Sequence, residues 1–187
     1  YLLKLIQGLP TDADNTASIQ RMREAYERIK LHLLQYLVLR ELSERAGGLP
    51  VLEVTLRTPV ALDVIKAMAE VPGGVVGAGT LLGPKDVKAA KAAGAKFGVS
   101  PGVTEELLAA CEEEELPLLA GTATISEAMR LLARGYDVAK FFPAEVNGGA
   151  PALKAFYGPL PQMNYCPTGG VSPDNAVSYL SLPNVMC

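Results

Sequence analysis

Histidine is nearly absent: His32 is the single one in 187 residues. A zinc site, a Ser/His/Asp triad and a histidine general acid therefore have almost no material to work with. No metal is expected, and any catalysis must run on Lys, Glu, Asp, Tyr, Arg or Thr. Cysteine is scarce as well. Cys111, Cys166 and Cys187 are odd in number, isolated, and contain no CxxC pair, which reads as buried or free thiols in a reducing compartment. Long apolar runs are missing. A membrane-spanning helix needs about 18 uninterrupted apolar residues, and the most apolar stretch, over 31–39, is broken by His32 and Gln35. No membrane partner is expected. Nor is there a basic excess, since the net charge is −3, and nothing supports nucleic-acid binding. Neither GxGxxG nor GxxxxGK[ST] occurs, which removes the usual nucleotide-binding signals. The chain starts at Tyr1 rather than Met, as a processed, trimmed or engineered product would, and shows no signal-peptide pattern.

What remains is an ordinary globular composition, 49% hydrophobic and 20% charged. A chain of this length can bury a substantial core without disulfides or metals. Its texture divides near Gly47-Gly48. Before that point it reads as helical, with N-cap candidates at Asp12, Asp14, Asn15 and Thr16. Ile19, Met22, Tyr26, Ile29, Leu33 and Tyr36 follow at alternating spacings of three and four, a heptad stripe. Such a stripe packs on its own domain or on a partner helix. After Gly48 short apolar runs alternate with Ala/Leu/Lys/Glu-rich stretches. The runs over 50–56, 75–80, 97–100, 117–120, 138–142 and 163–166 predict strands. Helices fit between them over 62–69, 85–93, 105–114, 126–134, 151–157 and 175–180, and residues 184–187 resemble the start of another strand. Strands and helices alternating at this short period predict βαβ units and a parallel sheet. Such a sheet either closes into a barrel or stays open and doubly wound; the missing nucleotide-binding motifs and the candidate site below favour the barrel, so the expected fold is α/β, of the (β/α)8 TIM-barrel type. An N-terminal helical segment over 1–46 is expected to precede a barrel domain over 47–187.

In a β/α barrel the active site lies at the C-terminal ends of the strands, so polar residues there are the candidates. Along the first clear strand, Leu52, Val54 and Leu56 share one face while Glu53, Thr55 and Arg57 share the other. With the apolar face against helices, Glu53 and Arg57 point into the barrel, where charge is costly to bury without a purpose or a partner. An ion pair between the two is the bland reading. Lys140 lies within Val-Ala-Lys-Phe-Phe. Full desolvation there would disfavour its ammonium form and free the amine to attack a carbonyl. The bland reading of this lysine is a side chain snorkelling from a strand end. Two further strand ends carry glycine: Gly77-Ala78-Gly79-Thr80, which lets a ligand approach the backbone, and Thr168-Gly169-Gly170, whose amides before a helix would seat an anion.

These motifs resemble the family of 2-keto-3-deoxy-6-phosphogluconate (KDPG) and 4-hydroxy-2-oxoglutarate aldolases. The matching stretches are VLEVTLRT (51–58), VGAGT (76–80), VSPGVTEELL (99–108), KFFPAEVNGG (140–149), YCPTGGVSPDN (165–175) and LPNVMC (182–187). The resemblance implies a class I aldolase that needs no cofactor. Its substrate would be a small 2-keto acid, phosphorylated in the family, cleaved to pyruvate and glyceraldehyde 3-phosphate. By the same resemblance Lys140 forms the imine and Glu53 is the general acid and base. Arg57 and Thr80 hold the keto-acid end, Pro101 and Thr168 line the pocket, and Gly169 and Gly170 offer amides to the phosphate. A homo-oligomer, specifically a trimer, and a cytoplasmic location are implied too.

The sequence departs from the family at three places. Its first strand and first helix are not recognisable over 1–46, although 39–48 could stand for the end of that helix. The chain stops at Cys187, inside the eighth strand. Ala120 stands where the family usually has proline. The barrel is therefore expected to be incomplete at its first and eighth strands. The alternative reading is an inactive or weakly active, rearranged or engineered aldolase-derived scaffold whose N-terminal helix drives assembly.

Overall fold

The structure is a computed structural model that describes residues 51–187. The heptad stripe over 19–36, His32 and the division near Gly47 lie outside the described residues. Strands and helices then alternate in the order β1 (Val51–Thr55), α1 (Ala61–Ala69), β2 (Val75–Gly79), α2 (Pro84–Ala92), β3 (Phe97–Val99), α3 (Glu105–Glu113), β4 (Leu118–Leu119). After these come β5 (Gly121–Thr122), α4 (Ile125–Ala133), β6 (Val138–Phe141), α5 (Gly149–Tyr157), β7 (Asn164–Pro167) and α6 (Pro173–Leu180).

Local chemistry sets the helix starts. Thr104 accepts a hydrogen bond from the Leu107 amide at the head of α3. Thr124 with Glu127 and Ser172 with Asn175 form capping boxes on α4 and α6, which satisfy amides that the first turn leaves unpaired. Pro84 and Pro173 occupy first-turn positions, where a missing N–H costs nothing.

All strand pairings are parallel. β1-β2-β3-β4 form one sheet and β5-β6-β7 a second. The strand expected over 117–120 is observed as β4, and after a break at Ala120 the chain continues as β5, beyond the expected range. The array nevertheless continues across the split, because the Ser100 amide donates to Leu119 O at 3.2 Å and the Lys140 amide to Ala120 O at 2.9 Å. Val185 forms an isolated parallel bridge with Tyr165 beyond β7, so residues 184–187, expected to start another strand, pair with β7 at one position without forming a continuous strand.

Helices cover one face of this array. Leu52, Val54 and Leu56 pack toward them, together with buried Val76, Ala78, Ala139, Phe141 and Tyr165. The period-two alternation of β1 therefore holds. The core is close-packed around Phe141, Phe156 and Tyr165, whose ring centroids are 5.8–6.3 Å apart. Tyr165 is fully buried, and its hydroxyl has no hydrogen-bond partner. Burial alone pushes that hydroxyl's pKa up to about 12. An unpaired buried hydroxyl costs about 1–3 kcal/mol of desolvation. Tyr165→Phe should accordingly leave stability unchanged or raise it by about 1 kcal/mol in a denaturant titration. A clear loss would mean that the hydroxyl has a solvent partner.

Candidate active site

The face of the array away from the helices carries the candidate residues. On β1, Glu53 stands over glycines. Its register partner is Gly77, and its carboxylate lies across Gly79. A Cβ built on Gly79 would fall 1.8 Å from Glu53 Oε1, and one on Gly77 would fall 2.2 Å from the Phe97 ring. Neither Glu53 nor Arg57 is sealed in: both are exposed among the described residues. They also do not pair with each other. Instead Arg57 Nε donates to Thr80 Oγ1 at 3.4 Å, which brings two predicted ligand-holding residues together at the ends of neighbouring strands. Thr80 adopts φ 64°, a left-handed conformation that β-branched residues avoid at a cost of about 1–3 kcal/mol. Strain of this kind, held at a strand end beside a guanidinium, is what a preorganised binding position stores.

Gly79 offers a direct test of the Glu53 placement. Gly79→Ala would force the carboxylate aside. A flexible side-chain end can yield cheaply, so folding should persist. Turnover should fall roughly tenfold to a hundredfold through misplacement, measured beside a thermal melt. Unchanged turnover would show that Glu53 has no required position.

Lys140 lies on β6 between Gly121 of β5 and Cys166 of β7, its register partners. Its strand neighbours Ala139 and Phe141 are fully buried toward the helices, so Lys140 faces the other way. It is half-buried rather than sealed. Its ammonium lies 4.7 Å from the Phe142 ring centroid, a cation–π contact. Cys166 is a neighbour that sequence reasoning missed. Its Sγ is 2.7 Å from that of Cys187. Burial first, then the contact with Cys187, pushes the Cys166 thiol up to about 12. It is therefore a neutral thiol, and the nucleophile available on this face is the amine of Lys140.

The loop after β7 meets the loop after β6. The Ala144 and Glu145 amides donate to Thr168 O at 2.8 Å and Gly169 O at 3.1 Å. Gly169 and Gly170 adopt φ 94° and 85°, conformations natural to glycine. Among the described residues, neither of their amides has an acceptor. Thr168 Oγ1 is buried without a partner. Two amides without an acceptor and an unpaired hydroxyl therefore stand at this strand end, the kind of group that can receive an anion. Pro101, at the end of β3, lies instead against Gly121, the register partner of Lys140: a Cβ on Gly121 would lie 2.3 Å from the Pro101 carbonyl group.

A parallel β/α array with one lysine on its inner face, a carboxylate on another inner strand and an amide nest after β7 has the architecture of a lysine-dependent β/α-barrel aldolase. The chain matches the family described as KDPG and KHG aldolase over residues 38–187, and it belongs to that family. A Pseudoalteromonas atlantica 2-dehydro-3-deoxy-phosphogluconate aldolase is 54% identical over 143 residues, which are 76% of this chain and 66% of the relative. For an Escherichia coli KHG/KDPG aldolase the identity is 52% over 76% of this chain and 67% of the relative. This chain spans about two thirds of the length of both. Among solved structures, a Legionella pneumophila KDPG aldolase with pyruvate captured as a covalent carbinolamine superposes with TM-score 0.77. It is 48% identical, over 83% of this chain and 75% of that one. A Zymomonas mobilis KDPG aldolase with 3-phosphoglycerate gives TM-score 0.75 and 46% identity, over 82% and 72% of the two chains.

Proposed function

We propose that the protein is a class I aldolase, cleaving 2-keto-3-deoxy-6-phosphogluconate or a close 2-keto acid to pyruvate and glyceraldehyde 3-phosphate. The observation that carries this reading is Lys140, set on the inner face between Gly121 and Cys166. The amine attacks the C2 carbonyl to give a carbinolamine, and loss of water gives an iminium. Glu53 takes the proton of the C4 hydroxyl. The C3–C4 electron pair then moves into the iminium, which releases the aldehyde and leaves an enamine. Protonation at C3 and addition of water free pyruvate and restore the amine. Arg57 and Thr80 hold the carboxylate, while Pro101 and Thr168 line the pocket. Gly169 and Gly170 give their amides to the phosphate. The imine supplies the electron sink, so the reaction requires no metal or cofactor.

The assembly in this reading is a homo-oligomer, a trimer, working in the cytoplasm. Val177 and Leu180, one helical turn apart on α6, are 74% and 59% exposed, apolar surface suited to a second copy. Incubation with pyruvate, borohydride reduction and peptide mass spectrometry test the reading. A pyruvate adduct on the Lys140 peptide is expected. Folded protein that yields no adduct overturns it. Running the condensation with glyceraldehyde and with its 3-phosphate then reads the phosphate site.

A further inference from the structure

We infer that Ser100 is a positioning residue: its hydroxyl locks the seam between the two sheets and so sets the wall beside the Lys140 amine. The inference rests on the imine reading above and extends it to a side chain that touches no substrate. Ser100 is fully buried at the end of β3. Its Oγ donates to Gly102 O at 2.7 Å and accepts from the Gly121 amide at 3.3 Å.

The second bond explains the split at Ala120. Up to Leu119 the strand pairs with β3 through main-chain bonds, and the Ser100 amide itself donates to Leu119 O. One step later the acceptor for the Gly121 amide is a side chain, not a carbonyl. The backbone beyond Ser100 is thereby released from the ladder and turns across the strand end. It closes down on Gly121 until only a glycine fits, with the Pro101 carbonyl group 2.3 Å from where a Cβ would stand. Gly121 is in turn the register partner of Lys140. One hydroxyl thus fixes Pro101 on one side and the lysine's neighbouring strand on the other. Removing it strands a buried amide and a carbonyl and loosens both.

The test compares the full chain with Ser100→Ala and Ser100→Thr. For each, kcat and KM for cleavage, the rate of pyruvate trapping across pH 6–9 and a thermal melt are measured. A purely structural serine would lower the melting temperature and leave the kcat of the folded enzyme and its pH profile alone. The positioning role predicts a fall in kcat and trapping rate of roughly tenfold to a hundredfold, with KM nearly unchanged. It also predicts a displaced pH profile and recovery in Ser100→Thr, which keeps the hydroxyl. A folded Ser100→Ala that traps pyruvate at the wild-type rate overturns the inference, and so does equal loss in the threonine variant. If Ser100→Ala does not fold, Ser100→Cys, of similar shape and weaker hydrogen bonding, is read against the same two outcomes. Failure of the wild type to trap pyruvate would instead overturn the imine reading, so the two failures are told apart.

Discussion

Lys140→Ala should abolish both the pyruvate adduct and turnover while leaving the protein folded. No other group among the described residues can take over. Lys66, Lys85, Lys88, Lys91, Lys96 and Lys154 are all exposed on helices or beside them, and none stands on the inner face of a strand. The one thiol beside Lys140 is held neutral by burial and forms no imine. The half-buried position of Lys140 makes truncation tolerable. Lys140→Met is the companion variant, keeping most of the stem and losing only the amine. Both should show background cleavage and no mass shift after borohydride. An adduct persisting at the wild-type level, on any peptide, would remove Lys140 from the mechanism.

Glu53→Gln should slow cleavage by about 10²–10⁴-fold, the usual worth of a positioned proton carrier. The substitution keeps the shape that lies across Gly79, so packing and KM should change little. What disappears is the ability to accept the C4 hydroxyl proton. Trapping of pyruvate should slow by less, because imine formation with pyruvate breaks no C–C bond. A cleavage rate close to wild type would reduce Glu53 to a structural role on β1.

Much of the fold was legible because its signals are local. The helices observed at Glu105–Glu113 and Ile125–Ala133 lie within a residue of the ranges read from sequence. The inner placement of Glu53 followed from strand alternation. The features that sequence did not yield depend on neighbouring strands. The break at Ala120 is made by a serine hydroxyl from the end of β3. Lys140 stands between apolar neighbours in sequence, yet it is only half-buried, because exposure depends on what lies across the ladder rather than along the strand. Cys166 and Cys187 stand 21 positions apart and look isolated, yet parallel pairing near the last strand brings their sulfurs within 2.7 Å. The exposure of Glu53 and Arg57 depends on what lies across the bore, which the alternation within a strand cannot report.

The inner glycines have a consequence for how this sequence can vary. Gly77, Gly79 and Gly121 are not vacancies. Each site is filled by a neighbour, namely Phe97, the carboxylate of Glu53 and the backbone of Pro101. Volume at these places is shared between two residues, so a change at one is constrained by the other. Substitutions should be admitted in couples rather than singly: a side chain can enter at 77 only if the ring at 97 shrinks. At 79 the partner is the proton carrier and at 121 it is main chain, so neither has anything to give up. Among functional relatives, position 77 should therefore drift together with 97, while 79 and 121 stay fixed.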